Sequence, residues 1–422
     1  MLDLKFIREN QETVVQGALK KGITVDVLKI LELDTKYREI STEIQTLQAK
    51  RNIAAKERNI EEGKKIKEEL DKIEGGLKNL KEQLDEELFK IPNLPLPEVP
   101  VGGEDDFEII KTVGNPIELT FTPRDHLELG ELLGIIDVAR AAKVSGARFA
   151  YLKNEGALLE LALVRFAFDV LREQEFDVVI PPTLIKHEIT KGLGYWTPEN
   201  ETNYYTTQNL ESTEGGDSEN SLYLVGTAEH SVVPMHKDET FKPSEMPKRY
   251  AAFSSAFRRE AGSYGKDTRG ILRVHQFDKV EMVSFVRQEE DASELGNLTA
   301  IAEKFMDLLG LSYRVIRLAS RDISFPAAET LDIETWMPAQ NKYRETHSIS
   351  TTGTFQSKRL GIKYQEGSEK KYAVILNGTA FAIGRTIIAI LENFQNEDGS
   401  VTIPEVLRKY TGFDKISPKP SK

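Results

Sequence analysis

Phe257-Arg258-Arg259-Glu260 and Arg273-Val274-His275-Gln276-Phe277-Asp278-Lys279-Val280-Glu281, joined by residues 261–272, decide how this chain is read. The second segment alternates as a strand does. The first ends in cations and a carboxylate. Residues 261–270, with Gly262, Gly265, Lys266 and Arg269, read as a mobile basic loop between two strands. The hairpin carries cations, a flat ring and carboxylates on one surface. Arginine meets phosphate bidentately, and its plane stacks on a base. Such a surface suits a nucleoside triphosphate beside a small substrate that bears an ammonium group.

Working outward, residues 157–174 read as a helix leading into a strand, Val178-Val179-Ile180, closed by Pro181-Pro182. Residues 197–220 are polar and acidic and read as a flexible surface insertion. Thr227-Ala228-Glu229 follows. Beyond the hairpin, a helix is expected over 289–310 and strands over 313–318, 333–337 and 371–376. Asn377-Gly378-Thr379 through Arg385 then leads into an apolar helix over 386–394. The Pro/Lys-rich tail, 416–422, is expected to fray.

The first ninety or so residues read as helix. Ile30, Leu33, Tyr37, Ile40, Ile44 and Leu47 form one heptad stripe, and Ile66, Leu70, Ile73, Leu77, Leu80 and Leu84 a second. A polar segment near 59–63 separates them, so the pattern predicts an antiparallel hairpin with limbs roughly 40 Å long. From heptads alone a dimerisation zipper or helical spacer is the better reading. The tip changes the balance. Lys50, Arg51, Lys56, Arg58, Lys64, Lys65 and Lys67 crowd there against Glu57, Glu61 and Glu62, which makes a grip for a phosphate backbone. Four prolines, Pro92, Pro95, Pro97 and Pro100, then stiffen the crossing to the next domain. The expected domains are a helical arm over 1–100, a linker over 101–114 and a catalytic domain over 115–422.

Composition bounds the rest. The chain has 422 residues, a net charge of −12 and no cysteine. It therefore forms no disulfide or thiolate zinc site and fits a reducing compartment. The N-terminus lacks an apolar signal region, and no run approaches the ~20 apolar residues that span a bilayer. The acidic balance argues against indiscriminate nucleic-acid binding but leaves room for a local basic patch.

The motifs, in this order, resemble the seryl-tRNA synthetases of bacterial type, a family of class II aminoacyl-tRNA synthetases. The hairpin matches motif 2, the 157–182 segment motif 1, and the 377–385 segment motif 3. The resemblance implies an α+β fold: an antiparallel sheet flanked by helices, with an N-terminal antiparallel helical hairpin. It also implies a cytoplasmic homodimer, without membrane association, that joins L-serine to tRNA-Ser through an adenylate made from ATP. The tip residues Lys50, Arg51, Lys56, Arg58, Lys64 and Lys65 would hold tRNA.

By the same resemblance Arg258 and Arg385 are catalytic. Arg258, Arg259, Glu260, Arg273, Val274, Phe277, Glu345, Thr346, His347, Ser348 and Arg385 would bind ATP. Phe277 and Arg385 would sandwich the adenine, and Glu260 would receive its amino group. Thr227, Ala228, Glu229, Arg258, Glu281, Asn377 and Thr379 would bind serine. Mg²⁺ would sit at Glu345 and Ser348. The chain departs from the family where it reads Glu345-Thr346-His347-Ser348-Ile349-Ser350-Thr351 and Thr354-Phe355-Gln356 in place of Glu-x-Ser-Ser-Cys-Ser-Asn and Asp-Phe-Gln. His347 reads as a hydrogen-bonded loop histidine. Some members use zinc to recognise serine. The six histidines here, His126, His187, His230, His236, His275 and His347, lack ligand spacing, so no zinc is expected.

Two other readings stay open. A ligase that loads an amino acid onto a carrier protein would lack the long arm. A non-enzymatic RNA-binding paralogue would lack the phosphate arginines, and Arg258, Arg273 and Arg385 are all present.

Overall fold

Each heptad stripe becomes one long helix. In the computed structural model, which describes residues 1–195, 201–207, 221–261, 267 and 269–418, two short helices, α1 (Leu4–Glu9) and α2 (Gln11–Lys20), precede α3 (Val27–Lys56) and α4 (Ile60–Phe89). Asp26 caps α3 by accepting from the Lys29 amide at 2.9 Å, and Asn59 caps α4 by accepting from the Glu62 amide at 3.2 Å. Thirty residues per limb give about 45 Å. Ile44 and Leu47 meet Ile66 and Leu70 along the seam. Ile7 and Val14 of the short helices join Ile30, Leu33, Leu84 and Leu88 at the base. The six tip cations assigned to tRNA, Lys50, Arg51, Lys56, Arg58, Lys64 and Lys65, are exposed.

The chain divides into units Met1–Leu94 and Pro95–Lys422. This moves the boundary expected near 100. Leu96 and Val99 lie between prolines but are apolar, and they pack against Ile316, Leu318 and Ile323 of the second unit. The expected linker over 101–114 also contains a strand, β1 (Glu108–Val113). It is an edge strand whose outer face is solvated, so its sequence carries no strong pattern.

The second unit is built on an eight-stranded sheet. After β1 come β2 (Asp177–Val179), β3 (Lys248–Phe257), β4 (Gln276–Val286), β5 (Tyr313–Arg317), β6 (Glu329–Met337), β7 (Lys342–Thr351) and β8 (Val374–Ala382). Their order across the sheet is β1-β5-β6-β7-β8-β4-β3-β2, antiparallel except where β2 meets β3. On one face lie α5 (His126–Leu133), α6 (Glu155–Glu173), α7 (Asp291–Leu309) and α8 (Ile383–Asn393), which bury Leu159, Phe166, Phe305 and Ile387 in the main core. The opposite face holds the candidate site.

Three expectations are corrected. Residues 371–376 are not one strand. Glu369–Tyr372 belongs to a small sheet, and β8 then runs from Val374 through Ala382. Asn377-Gly378-Thr379 looks like a break in sequence, but it lies inside a strand covered on both faces, where alternation is lost. The residues after Glu345, read as a loop, continue β7 to Thr351. Of the expected tail, Ile416 is buried and pairs with Val401. Residues 196–200 and 208–220 of the insertion, 262–266 and 268 of the basic loop, and 419–422 lie outside the described residues.

Candidate active site

A strand shows every second side chain to one face. In β4 this sends Phe277, Lys279 and Glu281 to the open face, while Val280 and Met282 enter the core. Register then gathers the rest. Glu281 lies opposite Thr379 on β8, and Ser350 on β7 lies opposite Asn377. Asp332 on β6 lies opposite Ser348. A shift in the β6–β7 register next to Ile333 turns Glu345 toward the open face and His347 away from it. The result is a polar cavity of about 380 Å³.

Most of the residues singled out from sequence border it: Thr227, Glu229, Arg258, Glu260, Arg273, Val274, Phe277, Glu281, Glu345, Thr346, Ser348, Asn377, Thr379 and Arg385. Three do not. Arg259 sits over the Tyr205 ring at 5.9 Å, and its amide donates to Asn203 O. Ala228 is fully buried at the start of a short helix and positions Glu229. His347 is fully buried on the core face, 2.9 Å from the Thr346 hydroxyl and near Phe381. Burial pushes its imidazole down to about 4, so it stays neutral and structural. Thr346 borders the cavity, but its hydroxyl is engaged with Thr335 at 2.7 Å.

The cavity balances cations against carboxylates. Arg385 Nη1 meets Glu345 Oε1 at 2.8 Å. Arg273 pairs with Glu260, and Lys279 with Glu281. The guanidinium of Arg258 lies over the Phe277 ring, 5.4 Å from its centroid, and its Nε donates to Gly226 O at 3.1 Å. Thr379 donates to Glu281 at 3.1 Å. Glu229 accepts from Tyr195 at 3.0 Å and from Gln356 at 2.8 Å. Burial pushes the Glu229 carboxyl up to about 7; those two hydrogen bonds partly oppose the shift, and the nearby Glu281 adds to it. Desolvation alone would raise Glu345, but the charge and hydrogen bond of Arg385, with the charges of Arg258 and Lys279, together outweigh it and hold this carboxyl below its ordinary value.

Sequence reasoning missed Asp332, Lys279, Tyr195, Asn203 and Tyr204. Asp332 is 5% exposed, and burial followed by the Glu345 charge pushes its carboxyl well up. Its Oδ1 has no hydrogen-bond partner among the described residues, nor has Asn377 Nδ2. Tyr204 was hidden in a segment whose composition reads as surface.

An antiparallel sheet whose open face pairs arginines with carboxylates, approached by a cation-bearing strand hairpin, is the catalytic core of a class II aminoacyl-tRNA synthetase. Residues 205–394 match the model of the tRNA synthetase class II core domain (G, H, P, S and T). Residues 1–95 match the seryl-tRNA synthetase N-terminal domain. The chain belongs to the seryl-tRNA synthetase family. The serine–tRNA ligase of Trichlorobacter lovleyi is 40% identical, with 99% of this chain and 100% of that protein covered. The crystal structure of seryl-tRNA synthetase from Pyrococcus horikoshii complexed with ATP is 37% identical, with a TM-score of 0.89 and full coverage of both chains. That of the cytoplasmic serine–tRNA ligase from Naegleria fowleri in complex with AMP is 29% identical, with a TM-score of 0.86 and 100% and 99% covered.

Proposed function

We propose that this chain, an ATP-dependent serine–tRNA ligase, activates L-serine in the polar cavity and then transfers it to the 3′ end of tRNA-Ser. The observation that carries the assignment of the site is that one cavity gathers Glu281, Thr379 and Glu345 from the sheet with Arg258 from the end of β3 and Arg385 from the first turn of α8. In the first step a serine carboxylate oxygen attacks the α-phosphorus of ATP, the bond to the bridging oxygen breaks, and pyrophosphate leaves. No protein nucleophile is needed; the protein must hold two anions in line and balance the charge that builds on phosphate oxygens. Arg258 binds the α-phosphate and the serine carboxylate. Arg273 and Arg385 bind the outer phosphates, exchanging carboxylate partners for phosphate oxygens. Phe277 and the plane of Arg385 enclose the adenine, and Glu260 accepts from its amino group. In the second step a ribose hydroxyl of tRNA attacks the acyl carbon and AMP leaves.

The residues fit a divalent cation. Glu345 loses its Arg385 partner when phosphate binds, Ser348 lies beside it on β7, and the partnerless Oδ1 of buried Asp332 stands behind them. Glu345 and Ser348 would hold Mg²⁺. Bound there, it would supply positive charge that offsets the charge on the phosphate oxygens.

Serine is held by carboxylates for its ammonium group and by polar groups for its hydroxyl. Glu229 and Glu281 supply the former; Thr227, Asn377 and Thr379 complete the pocket, with Asn377 Nδ2 available to donate. A site built to bond a hydroxyl rejects an analogue lacking it by about 10⁴-fold or more. Alanine is therefore excluded by unpaired polar groups, and threonine by size. Amino-acid-dependent ATP–pyrophosphate exchange with serine, threonine, alanine and glycine tests the assignment. Exchange with serine alone is expected; exchange with another of the four would overturn the specificity.

Glu229 adds a pH dependence. Its carboxyl, raised to about 7 by burial, must lose its proton to meet an ammonium group. The KM for serine is therefore expected to fall as pH rises from about 6 to about 8, and Glu229→Gln should flatten that profile. An unchanged slope in the variant would remove Glu229 from the ammonium site.

The exposed tip cations hold the phosphate backbone of tRNA. Replacing Lys50, Arg51, Lys56, Arg58, Lys64 and Lys65 by alanine is expected to raise the KM for tRNA and reduce its salt slope by about 0.7–0.9 for each phosphate no longer neutralised. Serine-dependent exchange should be unchanged. Loss of exchange as well would refute the division of labour between arm and core. The chain acts as a cytoplasmic homodimer, its interface made by the exposed apolar residues Leu158, Leu161, Val178 and Ile180 around the helix–strand unit. No helix among the described residues is long and apolar enough to cross a membrane.

A further inference from the structure

A second polar cluster lies behind the cavity, at the far end of α8. Three polar positions close to its C-terminus, Glu392, Asn393 and Gln395, are buried after a helix otherwise lined with isoleucine and leucine. Gln395 holds the backbone of Arg124 from both sides: its Oε1 accepts from the Arg124 amide at 2.9 Å and its Nε2 donates to Arg124 O at 3.1 Å. This fixes the start of α5, where Asp125 makes a capping box with Glu128. The first helical residue is His126. It is 7% exposed and sits between Glu392 and the returning end of the motif 2 loop.

The contacts of His126 run in a line. Its Nε2 accepts from the Ile271 amide at 3.3 Å. With Nε2 accepting, the ring proton is assigned to Nδ1, which faces Glu392 Oε1 at 3.5 Å in an electrostatic contact rather than a hydrogen bond. Glu392 Oε2 in turn accepts from the Ala339 amide, at 3.1 Å, in the turn between β6 and β7. Gly270 is shaped to this arrangement. Its φ is +72°, and a Cβ there would lie 1.9 Å from His126 Nε2. The other end of α8 grips the same segment. Arg385 Nε donates to Leu272 O at 3.4 Å, and Ile271 O lies 3.3 Å from where a Gly384 Cβ would be. Residues 271–274 form a wall of the cavity. One helix thus holds the start of that wall, Ile271 and Leu272, from both of its own ends, directly through Arg385 and indirectly through Glu392 and His126.

We propose that His126 and Glu392 form a positioning pair for the nucleotide: they fix the wall formed by residues 271–274 and so preorganise the ATP subsite without touching ATP. This rests on the reading of the cavity as an ATP site. Neither residue borders the cavity, and none of the residues assigned to serine belongs to the wall they hold. The pair makes the shape of the nucleotide wall depend on one hydrogen bond from a backbone amide, a bond whose geometry the Glu392 carboxylate maintains.

The test compares His126→Ala, His126→Gln and Glu392→Gln with the unsubstituted protein. Serine-dependent exchange gives separate KM values for ATP and serine, and hydrogen exchange is followed on the peptide containing Ile271. His126→Ala is expected to raise the KM for ATP about five- to tenfold, the worth of one hydrogen bond of this kind. The KM for serine should stay within about twofold, and the Ile271 amide should exchange faster. His126→Gln presents an amide oxygen to the same N–H and should restore most of the ATP affinity. Glu392→Gln should give a smaller loss in the same direction, and decides the matter with His126→Gln if the alanine variant does not fold. Unchanged KM for ATP in folded variants, or equal shifts in both KM values with a lowered melting temperature, would overturn the proposal. Absence of serine-dependent exchange in the unsubstituted protein would instead overturn the assignment of the site itself.

Discussion

Arg258→Ala is expected to lower serine-dependent ATP–pyrophosphate exchange by about 10²–10³-fold, the loss seen when one preorganised donor is removed from developing charge. The guanidinium is anchored by the Phe277 ring and by Gly226 O, neither of which carries a full negative charge. Arg273 and Arg385 differ, since each meets a carboxylate that phosphate must displace. Arg258 therefore presents its charge with little to reorganise when two anions arrive. Arg258→Lys retains the charge but loses the planar fork, and should fall between wild type and alanine. Fold stability should change little, because the side chain is only half-buried at the cavity surface. Exchange by Arg258→Ala within about tenfold of wild type would place the reacting phosphate elsewhere in the cavity.

The hairpin that carries Arg258 was legible because its cations, ring and carboxylates alternate along one strand. The same period explains Glu281, and the 3.5-residue repeat explains α3 and α4. What escaped was governed by pairing rather than by local pattern. β1 is an edge strand with a solvated face, and β8 is covered on both sides, so neither alternates. Asn377 and Thr379, polar residues flanking a glycine, look like a turn until β8 is seen paired with both β4 and β7.

The site shows the same division. Residue types named phosphate, ring and ammonium partners, and most of those residues meet in one cavity. The face on which Glu345, Thr346 and His347 lie depends on a one-residue register shift that no composition announces. That shift took His347 out of the site and left Glu345 in it. Asp332 was missed because it is one of three acids in a strand, Glu329, Asp332 and Glu334, and no motif sets it apart; its importance appears only once Ser348 is seen across from it and Glu345 nearby. The His126–Glu392 pair belongs to this class too, since it joins residues far apart in sequence.

Glu281→Ala is expected to abolish serine use, by about 10⁴-fold or more in kcat/KM, while ATP still binds. Glu281 is 2% exposed, accepts from Thr379 at 3.1 Å and pairs with Lys279. Removing it costs more than a substrate contact. Lys279, also buried, loses its counter-charge, and stranding one member of such a pair costs about 3–5 kcal/mol. A fall in activity of the alanine variant could then follow from loss of fold. Glu281→Gln separates the two causes, because its amide oxygen still accepts from Thr379 and its volume is unchanged. If the carboxylate is needed for the serine ammonium group, the glutamine variant melts near wild type, binds ATP by calorimetry with little change and still fails to activate serine. If it activates serine normally, Glu281 acts on Lys279 and Thr379 alone, and Glu229, the other carboxylate assigned to serine, carries the ammonium group by itself.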